Sequence, residues 1–175
     1  MAYFAELNSD NIVLDVQIVD DKNIRQGDDS YNEQWCQNNL THSLGGISWK
    51  QTFKHGSDRA NLRGRYAGKG MKYYTTSIPG HPESSGKFLD ILQEESYYSL
   101  FYLDETFNWL PNLPIPTVDD QGRSLPYDEN KLPSDMLFWG YAPENNRYQG
   151  GRTIDGVGVY KYYDPTTLSW IEMTR

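Results

Sequence analysis

From residue 12 to residue 19 the chain alternates strictly. Ile12, Leu14, Val16 and Ile18 fall on one side of an extended backbone, and Asp15 and Gln17 on the other. A period of two marks a half-buried strand. The run 2–7 precedes it across Asn8-Ser9-Asp10-Asn11, a cluster of turn formers. Together they predict a β-hairpin that buries the Ile12/Leu14/Val16/Ile18 side. The same period returns at 47–53, where Ile47, Trp49, Gln51 and Phe53 oppose Ser48, Lys50 and Thr52, and strand chemistry resumes at 71–75. Two more hairpins are predicted. One joins 97–103 to 107–110 around Asp104-Glu105-Thr106, and the other joins 157–163 to 168–173 around Asp164-Pro165-Thr166-Thr167. Their sequences, YLDETFNWLP and YYDPTTLSWIE, share an order of aromatic, any residue, Asp, polar turn, apolar, polar and Trp. This reads as one local solution used twice, without establishing a repeat.

Helical patterning is sparse. Ser30-Tyr31-Asn32-Glu33 has the form of a capping box, so a short helix is expected to end near Asn39 with Tyr31, Trp35 and Leu40 on one face. A looser apolar stripe of Phe88, Leu89, Ile91 and Leu92 suggests a second helix over 86–96. The stretch 117–157 is rich in Pro, Gly, Asp and Asn around the aromatic island Phe138-Trp139-Gly140-Tyr141. It reads as a long loop excursion with room for one short strand pair. The expected fold is therefore mainly β: a hairpin-built antiparallel sheet or sandwich with one or two short helices and long loops. The 175 residues are expected to form a single β-rich domain.

Composition sharpens this picture. Aromatics make up 14% of the chain, including 14 Tyr and five Trp beside 15 Gly, which suits thin sheets and rims better than an α/β core. One cysteine, Cys36, excludes an intrachain disulfide. No apolar run is long enough to span a bilayer, and the N-terminus lacks the pattern of a signal peptide. The formal charge is −8, yet residues 50–72 carry seven basic side chains against the single acid Asp58, an excess of +6. The net acidity argues against nucleic-acid binding. Arg59, Arg63, Arg65, Tyr66 and Lys69 in this basic stretch are the candidate residues for docking on an acidic partner, the alternative being a solvated face whose long stems cover aromatic rings.

Several segments resemble a family of small virion-associated proteins of marine tailed phages, especially cyanophages. The opening AYFAELNSDNIVLDVQIVDD, the strand GGISWKQTF, the segment NLRGRYAGKGMKYY and the closing LDETFNWLPNLPIP and VYKYYDPTTLSWIEM carry the likeness. The resemblance implies a non-enzymatic structural component of the particle, in capsid, neck, tail or fibre. Such a protein is assembled in the host cytoplasm and contacts other virion proteins and copies of itself. It supplies no catalytic residues and no cofactor. The alternative is a receptor- or glycan-binding module, for which Trp109, Trp139 and Tyr141 are the candidate exposed rings, core filling being the default reading of the same aromatics.

Chemical motifs are weak. The loop from Gly80 to Phe88 has five residues between its glycines and places Phe88 where a phosphate loop needs Ser or Thr. Cys36 and His42 form a conceivable thiol–imidazole pair, against the simpler reading of Cys36 as a small core residue. His42, His55 and His81 lack metal-ligand spacing. The acidic pairs Glu94/Glu95, Asp104/Glu105, Asp119/Asp120 and Asp128/Glu129 read first as solvated turns, with glycoside hydrolysis or calcium binding as the chemical alternatives. No enzyme, cofactor or metal is expected.

Overall fold

The computed structural model describes residues 1–55, 57–60 and 62–174. Among them lie eleven strands in four antiparallel sheets, with one α-helix and five short 3₁₀ turns, so the fold is mainly β. The chain forms two compact units, Met1–Leu110 and Pro111–Arg175, where the sequence suggests one body with an excursion.

The first unit is built on a three-stranded sheet of β1 (Ala2–Leu7), β2 (Val13–Val19) and, after helix α1 (Asp29–Asn39), β3 (Ser48–Thr52). The order β2-β1-β3 puts β1 in the middle, and both of its faces are covered. Ala5 and Leu7 join Val13, Ala67, Met71, Tyr73 and Phe88 on one side. Phe4 joins Val19, Cys36 and Trp49 on the other, beneath α1. Burying a side chain of Phe or Leu size contributes about 1.5–3 kcal/mol.

The predicted burial of Ile12, Leu14, Val16 and Ile18 as one face is corrected. Glu6 pairs with Asp15 and Leu7 with Val13, which leaves Leu14 as the extra residue of a bulge. A bulge inverts the alternation beyond it. Val13 and Val16 consequently share the Ala5/Leu7 side, Val19 lies with Phe4, and Ile18 is 60% exposed.

The cap of helix α1 lies two residues before the expected one. Asp28 accepts a hydrogen bond from the Tyr31 amide at 3.0 Å, so Ser30 is inside the helix and Glu33 is free for other partners. Buried Asn32 is fully engaged, donating to Gln51 Oε1 (3.0 Å) and the Arg25 carbonyl (2.9 Å) and accepting from the Arg25 amide (2.8 Å).

The helix expected over 86–96 is a second correction. Strand β4 (Lys72–Tyr74) pairs with β5 (Lys87–Leu89), and a 3₁₀ turn follows at Glu95–Leu100. Phe88 and Leu89 point to opposite sides, into two separate apolar clusters. A strand buried on both faces has adjacent apolar residues, which a short window cannot distinguish from a helix stripe. The small hairpin β6 (Phe101–Leu103) and β7 (Trp109–Pro111) forms as expected.

The second unit is a sheet of β8 (Phe138–Ala142), β9 (Arg147–Ile154), β10 (Val157–Asp164) and β11 (Ser169–Glu172), in the order β11-β10-β9-β8. The strand pair expected within 117–157 is β8–β9; it joins β10 and β11 in one sheet, so the stretch from Phe138 onward belongs to the body and not to an excursion. Strand β9 contains Gly150-Gly151 and few apolar residues, which hides it from pattern reading. The glycine at 150 is needed because a Cβ there would lie 2.7 Å from the Phe138 carbonyl oxygen.

Three hairpin turns share one construction. Asn8, Asp104 and Asp119 each accept, on Oδ1, backbone N–H groups two and four residues ahead. The residue three ahead has positive φ in every case: Asn11 (61°), Phe107 (63°) and Gly122 (78°). This is a type I turn closed by a left-handed residue, with the side chain of the first residue fixing the loop. Asp164 repeats the cap onto Thr166 and Thr167, with the left-handed residue, Leu168, one position later.

Candidate functional site

The basic stretch does not stand as an open positive pole. Asp29 and Glu33 are half-buried on α1, four residues apart and so on one helix face. Arg59 grips Asp29 with both guanidinium nitrogens (2.8 and 3.0 Å) and lies over the Phe53 ring. Arg63 reaches Asp29 (3.3 Å), Glu33 (3.1 Å) and the Tyr73 hydroxyl. Lys50 completes the cluster at 2.6 Å from Glu33. Burial opposes the charge of Arg63, but Tyr73, Glu33 and Asp29 outweigh it and raise its pKa. Arg65 pairs with Asp90 at the surface. Asp29, Glu33 and Asp90 bring three negative charges onto the stretch and lower its excess from +6 to +3.

Arg59 and Arg63, expected to face a partner, therefore clamp the segment to α1. Of the five candidate docking residues, Tyr66 and Lys69 are exposed. Tyr66 packs edge-on against Tyr3 with centroids 5.5 Å apart, and the Lys54 ammonium sits 5.4 Å from the Tyr3 ring centre. Tyr3 is the cross-strand partner of exposed Ile18. Sequence reading missed Tyr3, Lys54 and Ile18 because the bulge at Leu14, which puts Ile18 beside Tyr3 at the surface, has no signature in the residue pattern. Gly56 and Asn61 of the basic stretch lie outside the described residues.

The three candidate rings pack into aromatic clusters, in keeping with core filling, and none stands as an exposed platform. Trp109 belongs to the cluster around Leu89 and Tyr98, meets His81 edge-on at 4.9 Å and donates Nε1–H to the Asp90 carbonyl at 2.9 Å. Trp139 packs against Tyr148 and Trp170 on the covered side of the second sheet. Tyr141 packs on Tyr148 and donates to Asn146 Oδ1 at 2.5 Å. The exposed member of the island is Phe138, at 68%, and Tyr160 on β10 accompanies it at 55%. Both are cross-strand partners of Gly151 and so share one face.

Behind that sheet lies a charge cluster that sequence reading did not assemble. Arg152 is fully buried among Asp119 (3.4 Å), Asp120 and Asp135 (3.2 Å). Arg123 bridges Asp119 (2.7 Å) and Asp135 (2.8 Å), and Lys161 holds Asp120 at 2.7 Å. Tyr127 donates to Asp119 Oδ2 at 2.7 Å. Burial pushes the Asp119 carboxyl up, but the Tyr127 hydroxyl and the Arg123 and Gln121 donors outweigh it and hold it far below the usual range. Asp104 is held low by the Asn108 amide and the rest of its turn. These carboxylates are anchored acceptors, whereas a general acid needs a raised pKa. Burial, with the Glu33 charge, pushes the Cys36 thiol up to about 12, so it is not a ready nucleophile. Among the described residues no three His, Cys, Asp or Glu side chains gather as metal ligands.

Comparisons of this chain with protein-family models, with curated proteins and with solved structures return no match.

Proposed function

We propose that the chain is a non-enzymatic structural protein of a tailed-phage particle, acting through contacts with neighbouring virion proteins. The observation that carries this reading is the Tyr3–Tyr66 pair, bordered by Lys54, Ile18 and the exposed Lys69. Aromatic rings beside ammonium groups that meet no carboxylate among the described residues suit the centre and rim of a protein interface. The lysines select an acidic partner surface, because α1 and Asp90 already occupy the arginines of the segment. The phage assignment comes from the resemblance of the two chain ends and the basic segment to virion proteins, and it places assembly in the host cytoplasm. In the test, particles are assembled with a Tyr66→Ala/Lys69→Ala double variant and probed by immunoblot. Incorporation is expected to fall at least tenfold while the variant stays folded, its melting temperature falling by no more than about 7 °C for the loss of one aromatic pair. Normal incorporation of the folded double variant, at low and high salt alike, refutes the docking role.

A further inference from the structure

We propose that the open face of the second sheet binds a neutral carbohydrate, with Tyr160 as the stacking platform and Phe138 as its neighbouring wall. Its residues belong to the second unit and share none with the Tyr66 docking surface of the first. The groove measures about 370 Å³ and runs between these rings over Gly151 and Gly158. That volume is in the range of small-ligand sites.

The floor is the reason Tyr160 can act as a platform. A Cβ at Gly151 would stand 3.1 Å from Tyr160 Cδ1, and one at Gly158 would stand 3.4 Å from Cε2. The ring therefore lies down over two bare Cα positions, with one side on backbone and the residue still 55% exposed. A ring held flat by the sheet offers its face, which suits the C–H side of a pyranose; interface anchors project their edge into a pocket.

The rim supplies the polar half of the recognition. Asp135 is 41% exposed, and each of its oxygens already accepts one guanidinium N–H, from Arg123 (2.8 Å) and Arg152 (3.2 Å). The Gln121 side chain donates to the same carboxylate, and of its roughly four acceptor positions one remains for a ligand hydroxyl. The Arg123 hydrogen bond lowers the pKa of Asp135 against its small burial cost, which keeps that acceptor ionised. Thr153 and Ser134 are exposed beside it on the groove lining. The cation on that lining, Arg152, is already enclosed by Asp119, Asp120 and Asp135. With a pre-oriented anion and an occupied cation, the site favours hydroxyl donors over carboxylated or sulfated sugars.

Affinity electrophoresis of the full chain through gels containing dextran, mannan, galactan or soluble β-glucan, with alginate as the anionic control, tests this. At least one neutral polysaccharide should retard the protein and alginate should not. Tyr160→Ala should weaken retardation at least tenfold, Phe138→Ala should weaken it less, and Tyr160→Phe should retain it because the ring is kept. The Tyr66→Ala/Lys69→Ala variant should bind sugar normally, which separates this site from the docking surface. Failure of every neutral polysaccharide, retardation unchanged in Tyr160→Ala, or preference for alginate overturns the proposal. So does a sedimentation shift from dimer to monomer in Tyr160→Ala without sugar binding, which would assign the face to a second copy of the chain.

Discussion

Removing Arg63 should unfasten the first unit from within. Arg63→Ala deletes contacts to Asp29, Glu33 and the Tyr73 hydroxyl from a side chain that is 19% exposed, next to carboxylates 16% and 12% exposed. A hydrogen bond to a charged group is worth about 1.5–3 kcal/mol, and breaking a fully buried pair costs about 3–5 kcal/mol. The site is only partly buried, and Arg59 and Lys50 remain to neutralise Asp29 and Glu33. The net loss should therefore fall near 2 kcal/mol. In a unit of this size that lowers the melting temperature by roughly 6–10 °C. Differential scanning calorimetry reads it directly, with Lys69→Ala as the exposed control. Arg63→Lys should recover only part of the loss, because an ammonium cannot reproduce the planar fork that reaches both acids. A transition for Arg63→Ala within about 1 °C of the parent would show that the clamp contributes nothing, and would return Arg63 to the list of docking residues.

Two further outcomes follow from the titrating groups. Asp119 titrates below its ordinary 3.8 in the folded unit, so its stabilisation is complete above that value and is lost as pH falls through the folded value. Urea unfolding followed by the fluorescence of Trp139 and Trp170 should show a midpoint that drops from pH 5 to pH 3, and Asp119→Asn should flatten that dependence. Cys36, with its pKa near 12, should resist iodoacetamide at pH 8 in the folded protein and react fully after denaturation. Rapid alkylation of the native chain, read by intact mass, would contradict its burial.

The local elements were largely legible in the chain. Three of the hairpins lie where alternation and turn formers place them, because an Asn or Asp followed by a left-handed residue encodes its loop within five residues. What failed depended on partners distant in sequence. Leu14 became a bulge only through the register of β1 on β2. Phe88 and Leu89 look helical unless it is known that each meets a different cluster. The basic segment suffered most: counting charge along 50–72 gave a pole of +6, while Asp29 and Glu33, some 30 residues earlier, fold back onto it. Tryptophan suits both core and rim, so the residue pattern leaves Trp109 and Trp139 open between the two; the structure exposes Phe138 and Tyr160 instead, where glycine on the neighbouring strand leaves room for a ring.

The double coverage of β1 has a consequence for the order of events at the ribosome. The Asn8 turn lets β1 and β2 pair as soon as about 20 residues are free, but the resulting ribbon is apolar on both sides. Its Phe4 side can close once Trp49 and α1 have emerged, whereas its Leu7 side waits for Met71, Tyr73 and finally Phe88. A nascent chain between those two lengths carries one finished layer and one bare one, and in that interval a chaperone, or the same ribbon on a neighbouring chain, has its best opportunity to bind.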